Sequence, residues 1–364
     1  MRRYAVTAIA ATLALMLSPA TPAAVVCVSS GPQLQTALNN AEANGEIDEI
    51  RLKPGLYFAN PLAAGEASFD YLSNEPLILY GAAVDANNNC TSVAARSDQA
   101  VLSGTDQFAV MRIVANTGAS GELETLCHLT ITNGVSSQSL VGGLGVRALG
   151  GSPILSVINI IVKNGSNNAQ ANPQPTFRAY TEGSSSMRVL GSVFRDNTIG
   201  TYTPILLTGS AGTSISFSNN TVAYNWADAS EGAASAVYTA LEAGGGVALY
   251  MSNNVFYGNR RGSAQALIDF SIDTDFNPLQ MDHNHFGTYS AFGVTDAFRT
   301  QGDPRFVSAS DLRLRLNSPL RNSGTNIPQG GIWTVDVEGS TRIQGGTVDR
   351  GAYEYGEMFI NGFE

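Results

Sequence analysis

Lysine is nearly missing from this chain. Lys53 and Lys163 are the only two in 364 residues, and histidine stops at three. A surface that neutralises phosphates needs clustered cations, so nucleic acid is excluded as a partner. Charge of either sign is scarce, at 14%, which argues against helical bundles and coiled coils with their charged faces. Long apolar runs are missing too, apart from the opening MRRYAVTAIAATLALMLSPATPAA. Two arginines, an apolar run and small residues at Ala20, Ala23 and Ala24 make a secretory signal peptide over residues 1–23. The run at 5–17 is short of the roughly 20 residues that a bilayer span needs. The mature chain is therefore expected to be exported, extracellular or on the outer cell surface, and not to span a membrane. Without Arg2 and Arg3, 18 basic residues face 30 acidic ones, a net charge of −12.

Cysteine is limited to Cys27, Cys90 and Cys127. An oxidising compartment permits one disulfide and leaves one thiol. Cys27–Cys90 is favoured, as a tie between the mature N-terminus and an early turn, with the two pairings to Cys127 left open. What the chain has in quantity is glycine, 38 residues of it, together with small polar residues. That composition suits extended β-structure with many turns.

An Asn-rich phrase recurs: SNNTVAYN ends at Asn225, SNNVFYGN at Asn259, and the blurred DHNHFGTY at Tyr289. Extended backward, the same register ends at Gly134, Gly165 and Asn197, with spacings of 31, 32, 28, 34 and 30. Three positions before these marks stand Ile131, Val162, Phe194, Val222, Phe256 and Phe286. Eight before stand Leu126, Val157, Val189, Phe217, Met251 and Met281. Ten before stand Leu155, Met187, Ile215, Leu249 and Leu279, with Glu124 the exception. The columns at minus ten and minus eight keep the two-residue period of a strand. The column at minus three is out of phase, so the chain turns a corner between them. Asn159, Asn219, Asn253 and Asn254 occupy that corner, with Asn284 close by. Asn accepts left-handed backbone geometry and can stack into amide ladders.

Each copy thus predicts one coil of a parallel β-solenoid, with like columns stacked about 4.8 Å apart and right-handed crossovers. Ser30-Gly31-Pro32-Gln33 reads as the start of a capping helix, with Leu34, Ala37, Leu38 and Ala41 facing the core and Gly45 ending it. The fold class is all-β: a right-handed parallel β-helix with an N-terminal capping α-helix and a C-terminal β cap. The expected divisions are the signal peptide 1–23, cap and first coils 24–115, central β-helix 116–300, C-terminal cap 301–355 and a tail 356–364. The long polar connection 166–186 is expected to loop off one side. Glycine-rich pieces at 141–151 and 243–250 lack the lysine of a phosphate loop and read as turns before strands.

The stretches LQTALNNAEANGEIDEIRLKPGLYF, LILYGAAVDANNNCTS and CHLTITNG resemble exported bacterial β-helix proteins of the pectate-lyase-like superfamily. DPRFV, DLRLRLNSPLRNSGTN and DVEGSTRIQGGTVDRGAYEY resemble the choice-of-anchor Q domain that closes many such chains. The resemblance implies a surface or secreted location and leaves the chemistry open. Pectin hydrolases of that superfamily carry an Asp-Asp pair, a Gly-His-Gly and an Arg-Ile-Lys, and none of the three occurs here. Within the closing section, Asp336, Arg342 and Asp349 are expected to form a charge network pinning the last coil.

Candidate sites follow from what remains. Arg195, Asp196, Trp226, Asp228, Tyr257, Arg260 and Arg261 fall just past the reference column on adjacent coils, where planar donors beside aromatic faces would suit a sugar-binding groove. No cofactor is expected. Calcium is the one candidate ion, at Asp269, Asp273 and Asp275, although a solvated loop edge describes that run better. His128 and His283 sit in the corner column and read as substitutes for asparagine. Zinc at Asp282, His283 and His285 is disfavoured, because the corner sends the two histidines apart. The expected function is non-catalytic: a rigid face for binding a polysaccharide or another cell-envelope glycan. The alternative is a polysaccharide lyase or glycoside hydrolase working near Trp226 and Arg260. Oligomeric state is open.

Overall fold

The computed structural model describes residues 24–356 except 62–65, 95, 116–119, 138–139, 168–173, 201–202, 228–235, 242–245, 262–268, 273–278 and 291–295. The expected leader and all but the first residue of the expected tail lie outside the described residues. The chain winds into a parallel β-helix with three long sheets of ten, seven and eight strands. The first sheet includes Ser152–Ile158, Ser186–Leu190, Ser214–Ser218 and Ala248–Ser252. The second is built from short strands such as Val193–Arg195, Thr221–Ala223 and Val255–Tyr257. The third includes Leu144–Leu149, Phe177–Glu182 and Ile205–Gly209. Within the 166–186 connection, residues 168–173 lie outside the described residues, and Phe177–Glu182 is a strand of the third sheet. Connections of changing length precede this sheet, so its strands keep no fixed offset from the asparagines.

The repeat columns stack as coils. Leu126, Val157, Val189, Phe217, Met251 and Met281 are register partners in the first sheet. Ile131, Val162, Phe194, Val222 and Phe256 are partners in the second, and a bridge from Val255 to His285 carries Phe286 over Phe256. Nearly all of these side chains are buried, each worth about 1.5–3 kcal/mol of apolar burial. Rings continue the column across sheets, with Phe177 and Phe194 at 4.9 Å and Phe270 and Phe286 at 4.7 Å.

Two corners, rather than one, bracket the three-residue strands of the second sheet. His128, Asn159, Gly191, Asn219, Asn253 and His283 hold φ between 48° and 62° at the first corner. Asn133, Asn164, Asp196, Tyr224 and Gly258 hold φ between 54° and 68° at the second. The residue after each corner turns inward, and there the amide ladders form. Asn220 donates through Nδ2 to Asn254 Oδ1 at 3.2 Å, and Asn254 to Asn284 at 2.9 Å. Asn197 donates to Asn225 at 2.9 Å, and Asn225 to Asn259 at 3.1 Å. Each Oδ1 also accepts the main-chain N–H of the asparagine one coil back. The second Nδ2 proton goes to a carbonyl of that same preceding coil, as from Asn254 to Phe217 at 2.7 Å. Both ladders end on a carboxylate: Asn284 on Asp296 Oδ2 at 2.7 Å and Asn259 on Asp269 Oδ1 at 3.3 Å. A carboxylate suits that place because it only accepts.

The N-terminal helix runs Gly31–Ala41, with the Ser30 side chain accepting Gln33 N and Leu34, Ala37, Leu38 and Ala41 buried. Gln33 Oε1 accepts the Ser29 N–H at 2.8 Å, so the box closes one residue earlier than the sequence suggests. Cys27 and Cys90 are disulfide-bonded, 63 residues apart, a loop worth about 4 kcal/mol in the chain-entropy picture. Cys127 is a free, buried thiol, which burial pushes up to about 12.

The C-terminal section carries its β-hairpin, Phe306–Ser308 against Asp311–Leu314, and applies it along the flank. Phe306, Leu312, Leu314, Leu320, Val337 and Ala352 cluster with Val193, Ala223 and Val255 of the second sheet. Hydrogen bonds run from Asn159 Nδ2 to Val335 O at 2.9 Å, from Asn253 Nδ2 to Thr325 O at 2.8 Å, and from Ala352 N to Thr221 Oγ1 at 2.9 Å. Asp336, Arg342 and Asp349 are all buried, but they do not pin the last coil. Arg342 Nη2 donates to Asn219 O, 3.3 Å away, and to Gly351 O. Asp336 and Asp349 accept main-chain N–H groups of Ser340, Glu354, Asn322 and Tyr355. Pinning falls instead to Arg350, whose Nη1 reaches Asn284 O, Phe298 O and Thr300 Oγ1 at 2.9–3.1 Å.

Two outcomes test these contacts. Asn254→Ala leaves the Asn220 amide without its acceptor and should cost about 3 kcal/mol by denaturant unfolding. The second concerns pH. Burial, then Asp349 beside it, pushes the Glu354 carboxyl up from 4.5 to about 8. The folded state therefore favours protonated Glu354, so that stability is complete below 4.5 and is lost as pH rises through about 8. Glu354→Gln should flatten the fall in melting temperature between pH 5 and 8.5, and an unchanged slope would assign the dependence elsewhere.

Candidate functional site

Beyond the second corner several coils add one short strand, and three of these form a narrow strip. Thr198, Trp226 and Arg260 are register partners there, as are Ile199, Ala227 and Arg261. Alternation puts Ala227 inside and leaves Trp226 44% exposed. Arg260 is exposed and Arg261 half-buried. Trp226 and Arg260 thus share an outer surface one coil apart, as the sequence suggests.

Arg195 and Asp196 are split from them, while Tyr257 stands between the two, packed on the C-terminal section yet lining a cleft with Arg260. Arg195 is paired with Asp196 at 2.6 Å and donates to Ser310 O at 2.8 Å and Ala309 O at 3.0 Å. Tyr257 lies against Phe306, with ring centroids 5.9 Å apart. The C-terminal section therefore occupies the surface that these residues were expected to offer. The signal was present: Val193, Ala223 and Val255 point away from the core yet are apolar and buried, which only a covering layer explains. Asp228, Asp273 and Asp275 lie outside the described residues.

Asp269 corrects the reading of its run as a solvated edge. It is 4% exposed. Its Oδ1 takes the Asn259 amide and its Oδ2 the Gly287 N–H at 2.7 Å. Those bonds give it a ladder-end role; among the described residues no group of three His, Cys, Asp or Glu could hold a metal ion, and Asp273 and Asp275, the other calcium candidates, are not among them. His283 sits on its corner, stacked on Phe298 at 4.3 Å and 2.7 Å from Asp282. His285, the register partner of Val255, faces outward beneath the C-terminal section, bonding Thr300 Oγ1 at 2.9 Å and Gly302 O at 3.1 Å. The two share no site. Burial pushes both His128 and His285 down to about 4, so they are neutral.

A cleft of about 460 Å³ opens beside Asp269, lined by Tyr224, Phe256, Tyr257, Gly258, Arg260, Asp269, Gly287, Thr288, Gly302 and Asp303. Tyr257, Arg260 and Asp269 were candidates from sequence; Tyr224 and Asp303 were not. Tyr224 takes the left-handed position that Asn133, Asn164 and Asp196 hold on earlier coils, unusual for a bulky residue. Its ring lies 2.7 Å from where a Cβ on Gly258 would be. Gly258 is therefore glycine for two reasons, its φ of 68° and the ring over it. Burial raises the Asp269 carboxyl to about 6, against the opposing hydrogen bonds from the Gly287 N–H and the Asn259 amide. Burial likewise raises the Tyr224 hydroxyl. A second hollow of about 350 Å³ lies between the first strand and the helix, lined by Val26, Val28, Pro32 and Ala37 among others. It brings together no acid or base.

No family model matches the chain, and the curated proteins give no match either.

The two halves of the predicted groove should separate by mutation. Tyr257→Ala, which strips a ring from the packed C-terminal section, should lower stability by about 2–4 kcal/mol. Trp226→Ala should stay within about 0.5 kcal/mol of wild type. Equal melting losses would place Trp226 in packing.

Proposed function

We propose that this is an exported β-helix protein of the cell surface or its surroundings, presenting a rigid flank for binding glycans or other envelope components. The observation that carries this reading is the cleft at the end of the Trp226–Arg260 strip. Tyrosine faces, a guanidinium and carboxylates converge there on a scaffold fixed by parallel ladders, and a rigid concave site with few polar groups is the usual form of a ligand pocket. The leader-like N-terminus supports export. Resemblance of the closing section to choice-of-anchor Q domains supports a place on exported β-helices.

A second reading, a polysaccharide lyase or hydrolase, draws on one observation. Asp269, held at about 6, lines the same cleft as Arg260, and perturbed carboxyls in clefts are where acid–base catalysis is sought. Its hydrogen bonds to Asn259 and Gly287 give Asp269 a structural duty, which favours the binding reading. Purified protein incubated with uronic-acid and neutral polysaccharides should release no new reducing ends and no unsaturated products, while a glycan array should register binding. Cleavage that disappears in Arg260→Ala would reverse the order of the two readings.

A further inference from the structure

The cleft exists because the last coil takes a shorter path. One coil earlier, the chain runs from Phe256 through Arg260–Arg261 before reaching Phe270 in the third sheet. The last coil passes from Phe286 directly to Tyr289, which pairs with Phe270. Among the described residues no strand pairs beyond Arg260–Arg261, so the strip ends open. Asp269 takes the vacated ladder position, and Gly287, Gly302 and Asp303 also line the cleft.

The wall chemistry narrows the ligand. Tyr224 and Tyr257 meet edge to face at 6.0 Å, and Trp226 continues the aromatic surface on the coil beneath Arg260. Asp303 is exposed; its Oδ1 accepts the Arg305 N–H at 2.7 Å, and its other oxygen takes no partner among the described residues. Asp269 is already satisfied by Asn259 and Gly287 and Arg299 is tied to the Gly287 carbonyl, so the exposed Asp303 carboxylate is the charge the cleft offers beside Arg260, in a chain already strongly acidic. A polyanion would meet like charge there, which costs binding energy and slows encounter. Hydroxyl groups meet the opposite: carboxylate oxygens accept them in charge-assisted hydrogen bonds, and a ring's apolar face covers tyrosine.

We infer that the cleft between Tyr224, Arg260 and Asp303 binds a neutral, hydroxyl-rich sugar ring and discriminates against uronic-acid chains. This rests on the glycan-binding reading above and names the ligand class for it. Asp303 supplies the orienting acceptor, Arg260 donates from the same cleft, and Trp226 extends the site by one further ring.

Titration calorimetry of the full chain at pH 7 with cellohexaose, mannohexaose, galactohexaose and hexagalacturonate tests it. At least one neutral hexasaccharide should bind, with hexagalacturonate at least tenfold weaker. Asp303→Asn and Trp226→Ala should each weaken the neutral ligand tenfold or more, with melting temperatures unchanged; Asn keeps the acceptor for Arg305 N–H, so folding is preserved. Hexagalacturonate binding as tightly as the neutral sugars overturns the inference, as does no binding by any of the three neutral hexasaccharides. Glycan-array binding that survives both variants would keep the broader reading and sink this cleft.

Discussion

The amide ladders are the constraint on which the rest of the rod depends. An asparagine buried between coils has two protons and one oxygen to satisfy, and an unmade bond there costs about 1–3 kcal/mol. Asn254 meets that demand only if Asn284 lies one coil ahead and Phe217 one coil back. Strand spacing and register are thereby fixed from inside by side chains, in addition to the main-chain ladders outside. The left-handed residue before each ladder position is what turns the side chain inward. Corner and ladder are therefore one device, and slipping a coil by one residue would break both.

A ladder made of donors and acceptors has a direction, and direction creates an end problem. Every amide passes a proton toward the C-terminus, so the final asparagine needs an acceptor that asks for nothing further. Asp296 and Asp269 supply it. Their surroundings then diverge. Asp296 is bridged to Met281 and takes the Asn284 amide and the N–H groups of Asn284 and Phe298. Asp269 lines a cleft, because the coil that would cover the Arg260 strip is shortened. A group placed for structural reasons becomes the polar floor of a pocket, and the candidate site is a consequence of how the fold terminates.

Much of this was legible in the sequence, and the reasons are specific. Phe256 and Val222 could be placed in one column because the stretch between the two corners has constant length. The capping helix was readable from Ser30 and its apolar spacing, and the Cys27–Cys90 tie from its position. Phe177–Glu182 was not readable, because the connections before the third sheet vary and Leu206 and Tyr180, which point outward, are buried nonetheless. The split of the groove was hidden for a related reason. Arg195 and Tyr257 have the composition of a ligand surface, and only the path of residues 306–314 shows that the protein's own chain lies there. Tyr224 could have been found as the one bulky residue in a column of asparagine, aspartate and glycine.

The C-terminal section also changes how the rod holds together. In a solenoid each coil touches only its neighbours, so coils can open from an end one at a time. Here one covalent segment bonds Asn159, Arg195, Asn219, Asn253 and Asn284 on successive coils, reaching Ser97 at one extreme through Val337 O. Opening the last coil means breaking Arg350 free of Asn284, Phe298 and Thr300, and opening an inner one means peeling the same segment. Local fraying is thus coupled to distant coils, and the rod gains cooperativity that its nearest-neighbour contacts cannot supply. The segment packs on the apolar outward residues Val193, Ala223 and Val255 and bonds the polar ones, Arg195 and Thr221, and so withdraws that face from solvent. A ligand must then find the strip beyond the second corner, where Trp226 is exposed and Arg260 lines the cleft.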